Sequence, residues 1–82
     1  MKKWPHLHPV ARGLLNKALN EMERGELEFL QAFEHVGNGD LLEALRTLSR
    51  FERSTQNAIA AIQAACEFQQ KLHSASKAAI WN

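Results

Sequence analysis

Apolar residues recur in alternating steps of four and three along two stretches of the chain. In the first, Leu15, Leu19, Met22, Phe29, Phe33 and Val36 keep the rhythm, and Glu26 fills its one vacant slot. In the second, Ala44, Leu48, Phe51, Ala58, Ile62, Ala65 and Leu72 keep it, with Thr55 and Gln69 in the polar slots. Leu41, Leu45, Ile59, Cys66 and Phe68 widen that second stripe. Steps of three and four place residues on one face of an α-helix, and a sustained heptad-like stripe packs against another helix at a shallow angle. The pattern predicts a first helix over residues 10–36 and a second from 41 to 74 or further.

Between them stands "GNGD", residues 37–40. A glycine just past a helix end can take the left-handed conformation that satisfies the last carbonyls, and Gly37 holds that place with an expected positive φ. Asp40 reads as the N-cap of the second helix, and Glu43 three residues on completes a capping-box spacing. A phosphate-cradling glycine loop needs a strand before it, and none is legible. The segment is therefore a turn, and a turn this short makes the helices antiparallel neighbours. The fold class expected is all-α: an antiparallel helical hairpin with a short first helix and a longer second one, dimerising into a four-helix bundle.

Pairing outward from the turn sets Phe29 opposite Leu48, Met22 opposite Thr55, Leu19 opposite Ala58 or Ile59, and Leu15 opposite Ile62. On this pairing Phe29, Phe33, Leu48 and Ile62 form the core, Cys66 is a small core residue, and Glu26 reaches Arg50 or Arg53 in a partly buried ion pair that fixes register. Gly25 costs helix propensity and reads as a bend rather than a close backbone approach. Residues 1–9 read as an N-terminal arm interrupted by Pro5 and Pro9, and residues 10–82 as a single domain. Trp4 is expected to fold back onto the bundle. The second helix overshoots the first beyond about Phe68, leaving Leu72, Ile80 and Trp81 to be covered by the arm, a second protomer or a foreign partner.

Composition agrees with helix. The chain has 82 residues, six of them glycine or proline, and is dominated by strong helix formers. Its formal net charge of +1 does not mark a nucleic-acid binder. The charges fall in blocks: Lys2, Lys3, Arg12 and Lys17 first, then an acidic block over residues 21–43, then Arg46, Arg50 and Arg53. A single cysteine cannot make an internal disulfide, no signal-peptide core follows the basic start, and no apolar run approaches the length of a membrane span. A cytoplasmic location without membrane contact is the expectation.

Chemistry is sparse. His6 and His8 lack a third ligand nearby, while His35 and His73 sit at opposite ends of the hairpin, so no metal is expected. The serines have no triad context, and the paired carboxylates of the first helix read as surface. No catalytic residue, cofactor or enzymatic activity is expected. The segment "GDLLEAL" resembles the start of the second helix of a tetratricopeptide repeat over seven residues. Phe51 stands where that family carries alanine, and no proline ends the helix on schedule. In length and layout the chain also resembles plasmid RNA-binding hairpin dimers and type III secretion needle subunits, with "GNG" where the needle family has a proline-bearing turn.

Three functions follow as expectations. The first is a small non-enzymatic protein-binding module, acting as adaptor, inhibitor or chaperone of a larger cytosolic protein of the kind phages and mobile elements encode. Its partners are itself and another protein, and its anchors are Trp4, Arg50, Arg53, Leu72, Ile80 and Trp81. The second is an RNA-binding hairpin dimer using Lys17, Arg46, Arg50, Arg53 and Lys71. The third is a structural subunit polymerising through the overhanging helix.

Overall fold

The computed structural model describes residues 4–81, with side chains described for residues 4–72. It contains two α-helices, α1 (Pro9–Gly37) and α2 (Leu41–Trp81), and no strand among the described residues. They form an antiparallel hairpin with extents of 65 × 26 × 12 Å. The smallest dimension is about one helix diameter, so the hairpin is a single layer without an interior.

Sequence chemistry starts and stops each helix. Pro9 occupies the first turn of α1, where its missing N–H costs nothing, and the His8 Nδ1 accepts a hydrogen bond from the Val10 N–H at 3.1 Å. At the other end the Asp40 N–H donates to the His35 carbonyl at 2.9 Å and the Gly39 N–H to the Val36 carbonyl at 3.1 Å. This crossed pair is a Schellman motif, and its left-handed residue is Gly39, with φ +79°. The expected positive φ at Gly37 is thus corrected. Gly37 is the last helical residue, Asn38 is the C-cap, and the reversal falls two positions later. Asp40 does start α2, accepting from the Ala44 N–H at 2.9 Å through its carbonyl. Glu43 directs its carboxylate forward to Arg46 at 2.8 Å instead of back to the cap.

The turn gives a first testable outcome. Gly39→Ala is expected to destabilise by about 1–2 kcal/mol, because a Cβ is disfavoured in the left-handed region even where space is open. Gly37→Ala, helical and unobstructed, is expected to be neutral or mildly stabilising. Thermal unfolding of the two variants checks the assignment, and the opposite ranking would refute it.

The helices meet through small residues. On α1 the buried positions are Ala11, Ala18, Gly25 and Ala32, a strict repeat of seven. On α2 they are Ala44, Thr47, Ser54, Ala58, Ala61 and Ala65, again in steps of three and four once the half-buried Phe51 is included. Heptad spacing keeps this seam in register along the hairpin, and small side chains let the two backbones approach. The seam is not the one the large residues predict. Phe29, Phe33, Leu48 and Ile62 are 48, 74, 38 and 40 % exposed, and Cys66 is exposed as well, so none of them is core. The expected pairing is right in register and wrong in rotation. Leu15 lies with Ile62, and Leu19 and Met22 with Thr55, Ala58 and Ile59, but they sit along one rim of the seam rather than in it.

Gly25 is the close approach, not a bend. It is buried within one continuous helix, and a Cβ built there would stand 3.5 Å from the Phe51 ring and 3.6 Å from the Ser54 Cβ. Those are ordinary contact distances, so Gly25→Ala is expected to raise stability by about 0.5–1 kcal/mol through helix propensity. A lowered melting temperature would show that the helices cannot admit even a methyl group.

Candidate interaction face

The two rims of the seam differ in kind. Reading α1 as a heptad with Ala11, Ala18, Gly25 and Ala32 in one seam position, the neighbouring seam position holds Leu14, Glu21, Glu28 and His35. The two carboxylates of that line bond across the hairpin. The Ser54 hydroxyl donates to the Glu28 carboxylate at 2.6 Å, and the Asn57 amide donates to Glu21 at 3.3 Å. Glu21 also pairs with Arg24 at 3.3 Å. This rim is closed by its own side chains.

The other rim is apolar and open. Helical spacing puts Leu15, Met22, Phe29 and Val36 beside the seam on α1, with Leu19 and Phe33 one row further out. In an antiparallel pair the matching row of α2 is Leu41, Leu48, Thr55 and Ile62, backed by Leu45, Ile59 and Cys66. Most of these large side chains are strongly exposed. Among the described residues, shallow grooves lie along this face. The first, about 620 Å³, is bordered by Leu19, Met22, Ile59 and Ile62 over a floor of Gly25 and Ala58. The second, about 340 Å³, lies nearer the open end and is lined by Leu7, Ala11, Leu15, Ala65, Cys66 and Gln69. Gln69 brings its Oε1 into burial without a hydrogen-bond partner among the described residues. Near the turn the face rises instead of dipping, with Phe29 against Phe51 at 5.5 Å between ring centroids and Phe33 projecting beyond them.

The expected Glu26 ion pair is absent. Glu26 is exposed and borders the first groove near Phe51, and the ion pairs among the described residues are Arg24–Glu21 and Arg46–Glu43. Arg50 and Arg53 are exposed on α2. Trp4 is half-buried in a left-handed turn, φ 54°, whose carbonyl accepts from the Leu7 N–H at 3.0 Å. The arm does fold back: Leu7 lines the second groove, and the His8 ring lies 4.9 Å from Phe68. Leu72 is 39 % exposed, while the side chains of Ile80 and Trp81 lie outside those described. Trp4 and Leu72 therefore share the open end, and Arg50 and Arg53 sit roughly 30 Å away toward the turn. The anchors do not form one patch.

Among the described residues no three of His, Cys, Asp and Glu gather closely enough to hold a metal ion, and no helix is long and apolar enough to cross a membrane. Comparison with known proteins finds no family model, no curated protein and no solved structure that matches the chain. The open rim, which sequence periodicity places in the hairpin core, is the feature that remains to be explained by function. The signal for the true seam was present as small residues seven apart.

Proposed function

We propose that this chain is a non-enzymatic protein-binding module whose hairpin is completed by another polypeptide laid on its apolar rim, a second copy making a four-helix bundle. The assembled bundle then acts on a larger protein as an adaptor, inhibitor or chaperone, with the exposed Arg50 and Arg53 and the Trp-bearing ends as its contact points. One observation carries this reading: among the described residues, large apolar side chains including Met22, Phe29, Phe33, Leu41, Leu45, Leu48 and Ile59 stand exposed along one rim of a one-layer hairpin. The chain exposes 6537 Å², against roughly 5,000 Å² expected for a compact monomer of this size. Contiguous apolar surface beyond a few hundred Å² marks an interaction site. Leaving it in water is unfavourable by about 25 cal/mol per Å².

The test is comparative capture from the native host. Tagged wild-type chain is expected to retain a discrete partner protein, and an Arg50→Glu, Arg53→Glu variant to lose it while still self-associating. Recovery of the chain alone in repeated captures would overturn the adaptor reading. Equal recovery of the partner by both proteins would overturn the role of the arginines.

A further inference from the structure

From the relief and charge of the open rim we infer that the partner on this face is a second copy of the chain in reverse orientation, so that the two turns lie at opposite ends of the dimer. This rests on the dimer reading above and specifies it. Two-fold symmetry allows two ways of laying the face on itself. With both turns at one end, α1 lies over α2 of the partner. With the turns at opposite ends, α1 lies over α1 and α2 over α2.

Charge separates the two. The hairpin register, fixed by Glu21–Asn57 and the approach of Gly25 to Ser54, sets Glu26 and Glu52 level with each other on the two outer edges of the face. Both are exposed. With the turns together, Glu26 of each copy would oppose Glu52 of the other, two carboxylate pairs within an apolar surface, with Arg12 two helical heptads away and level with Cys66 instead. Like-charge juxtaposition of that kind is strongly disfavoured at an interface. Reversal removes both clashes. With the two-fold axis level with Leu19 and Ile59, inside the larger groove, Arg12 of each copy stands over Glu26 of the other. Arg12 is the one cation in the outer row of α1 on this face.

Relief points the same way. The turn half of the face is a ridge carrying Phe29 and Phe33, and the open half is a groove floored by Ala11 and Ala65. A ridge at one end and a groove at the other fit each other only when the axis is reversed.

Sedimentation uses the unsubstituted full chain, and the distance measurement uses Cys66→Ala with a nitroxide label on Asn38→Cys in the turn, a background kept only if it sediments as the unsubstituted chain does, because Cys66 lines the face. Sedimentation is expected to show a dimer, and pulsed dipolar spectroscopy a label separation of about 55–60 Å, the axial offset of two reversed turns at 1.5 Å per residue. In the same assay Arg12→Glu is expected to weaken the dimer at least tenfold, and Arg12→Glu with Glu26→Arg to restore it. A monomer at all accessible concentrations would overturn the dimer itself. A dimer with labels closer than about 25 Å would keep the dimer and overturn the reversal, as would failure of the charge swap to restore association. A reversed dimer indifferent to Phe33→Asp would show that another face is used.

Discussion

Ala18→Leu is expected to lower the melting temperature by about 5–20 °C, measured by circular dichroism at one fixed protein concentration. Ala18 is 2 % exposed, about a third of the way along α1 on the line of contact with α2. Leucine there must push the helices apart or leave its preferred rotamer, and overpacking of this kind costs about 1–3 kcal/mol. In a domain this small each kcal/mol moves the midpoint by several degrees. Concentration must be held constant because an associating chain is stabilised by mass action. The informative contrast is Leu30→Ala, which removes a larger apolar group from an exposed position and should change stability by no more than about 0.5 kcal/mol. If losing the large side chain proved the more damaging, the small-residue seam would not be the core.

Phe51→Ala is the second large effect, with an expected loss of about 2–3 kcal/mol. Phe51 is the one large aromatic on the central stretch of the α2 seam, half-buried, with its ring over Gly25 and tilted against Phe29. A fully buried phenylalanine costs more on truncation, and partial exposure scales the figure down. The absent side chain at Gly25 and the large one at Phe51 fill each other's space. Gly25→Ala should therefore recover more of the loss when combined with Phe51→Ala than the gain it gives alone, whereas independent sites would simply add. Denaturant titration of the two single variants and the double variant measures that coupling.

The element boundaries, the antiparallel register and the turn were legible in the sequence because caps, glycine and heptad spacing are local signals. The rotation of the helices was not. Hydrophobicity ranks Leu15, Met22, Phe29 and Val36 above Ala11, Ala18, Gly25 and Ala32, so the larger residues claim the seam in any reading that weighs apolar area. Two bare helices are governed by another quantity, the closeness of their backbones, and the small residues win it. Both rows repeat every seven positions and lie one step apart on the helix, so periodicity alone could not choose. Glu26 was misread for the same reason. It looked like a charge interrupting the core, and it borders an open groove. The closing of one rim by Ser54–Glu28 and Asn57–Glu21 left no signal at all, since those bonds join residues 26 and 36 positions apart.

The strict repeat of the seam makes the hairpin a ruler with fixed graduations. Deleting one residue from the middle of α1 would turn everything beyond it by about 100°, carrying Ala32 off the seam and a larger side chain onto it. Only a change of a whole heptad preserves the contact line, and because the helices run in opposite directions it must be matched by a heptad at the same level of the other helix. The paired span can therefore lengthen or shorten only in blocks of about 10.5 Å, so the distance between the turn and the open end is quantised by the sequence rather than adjustable residue by residue.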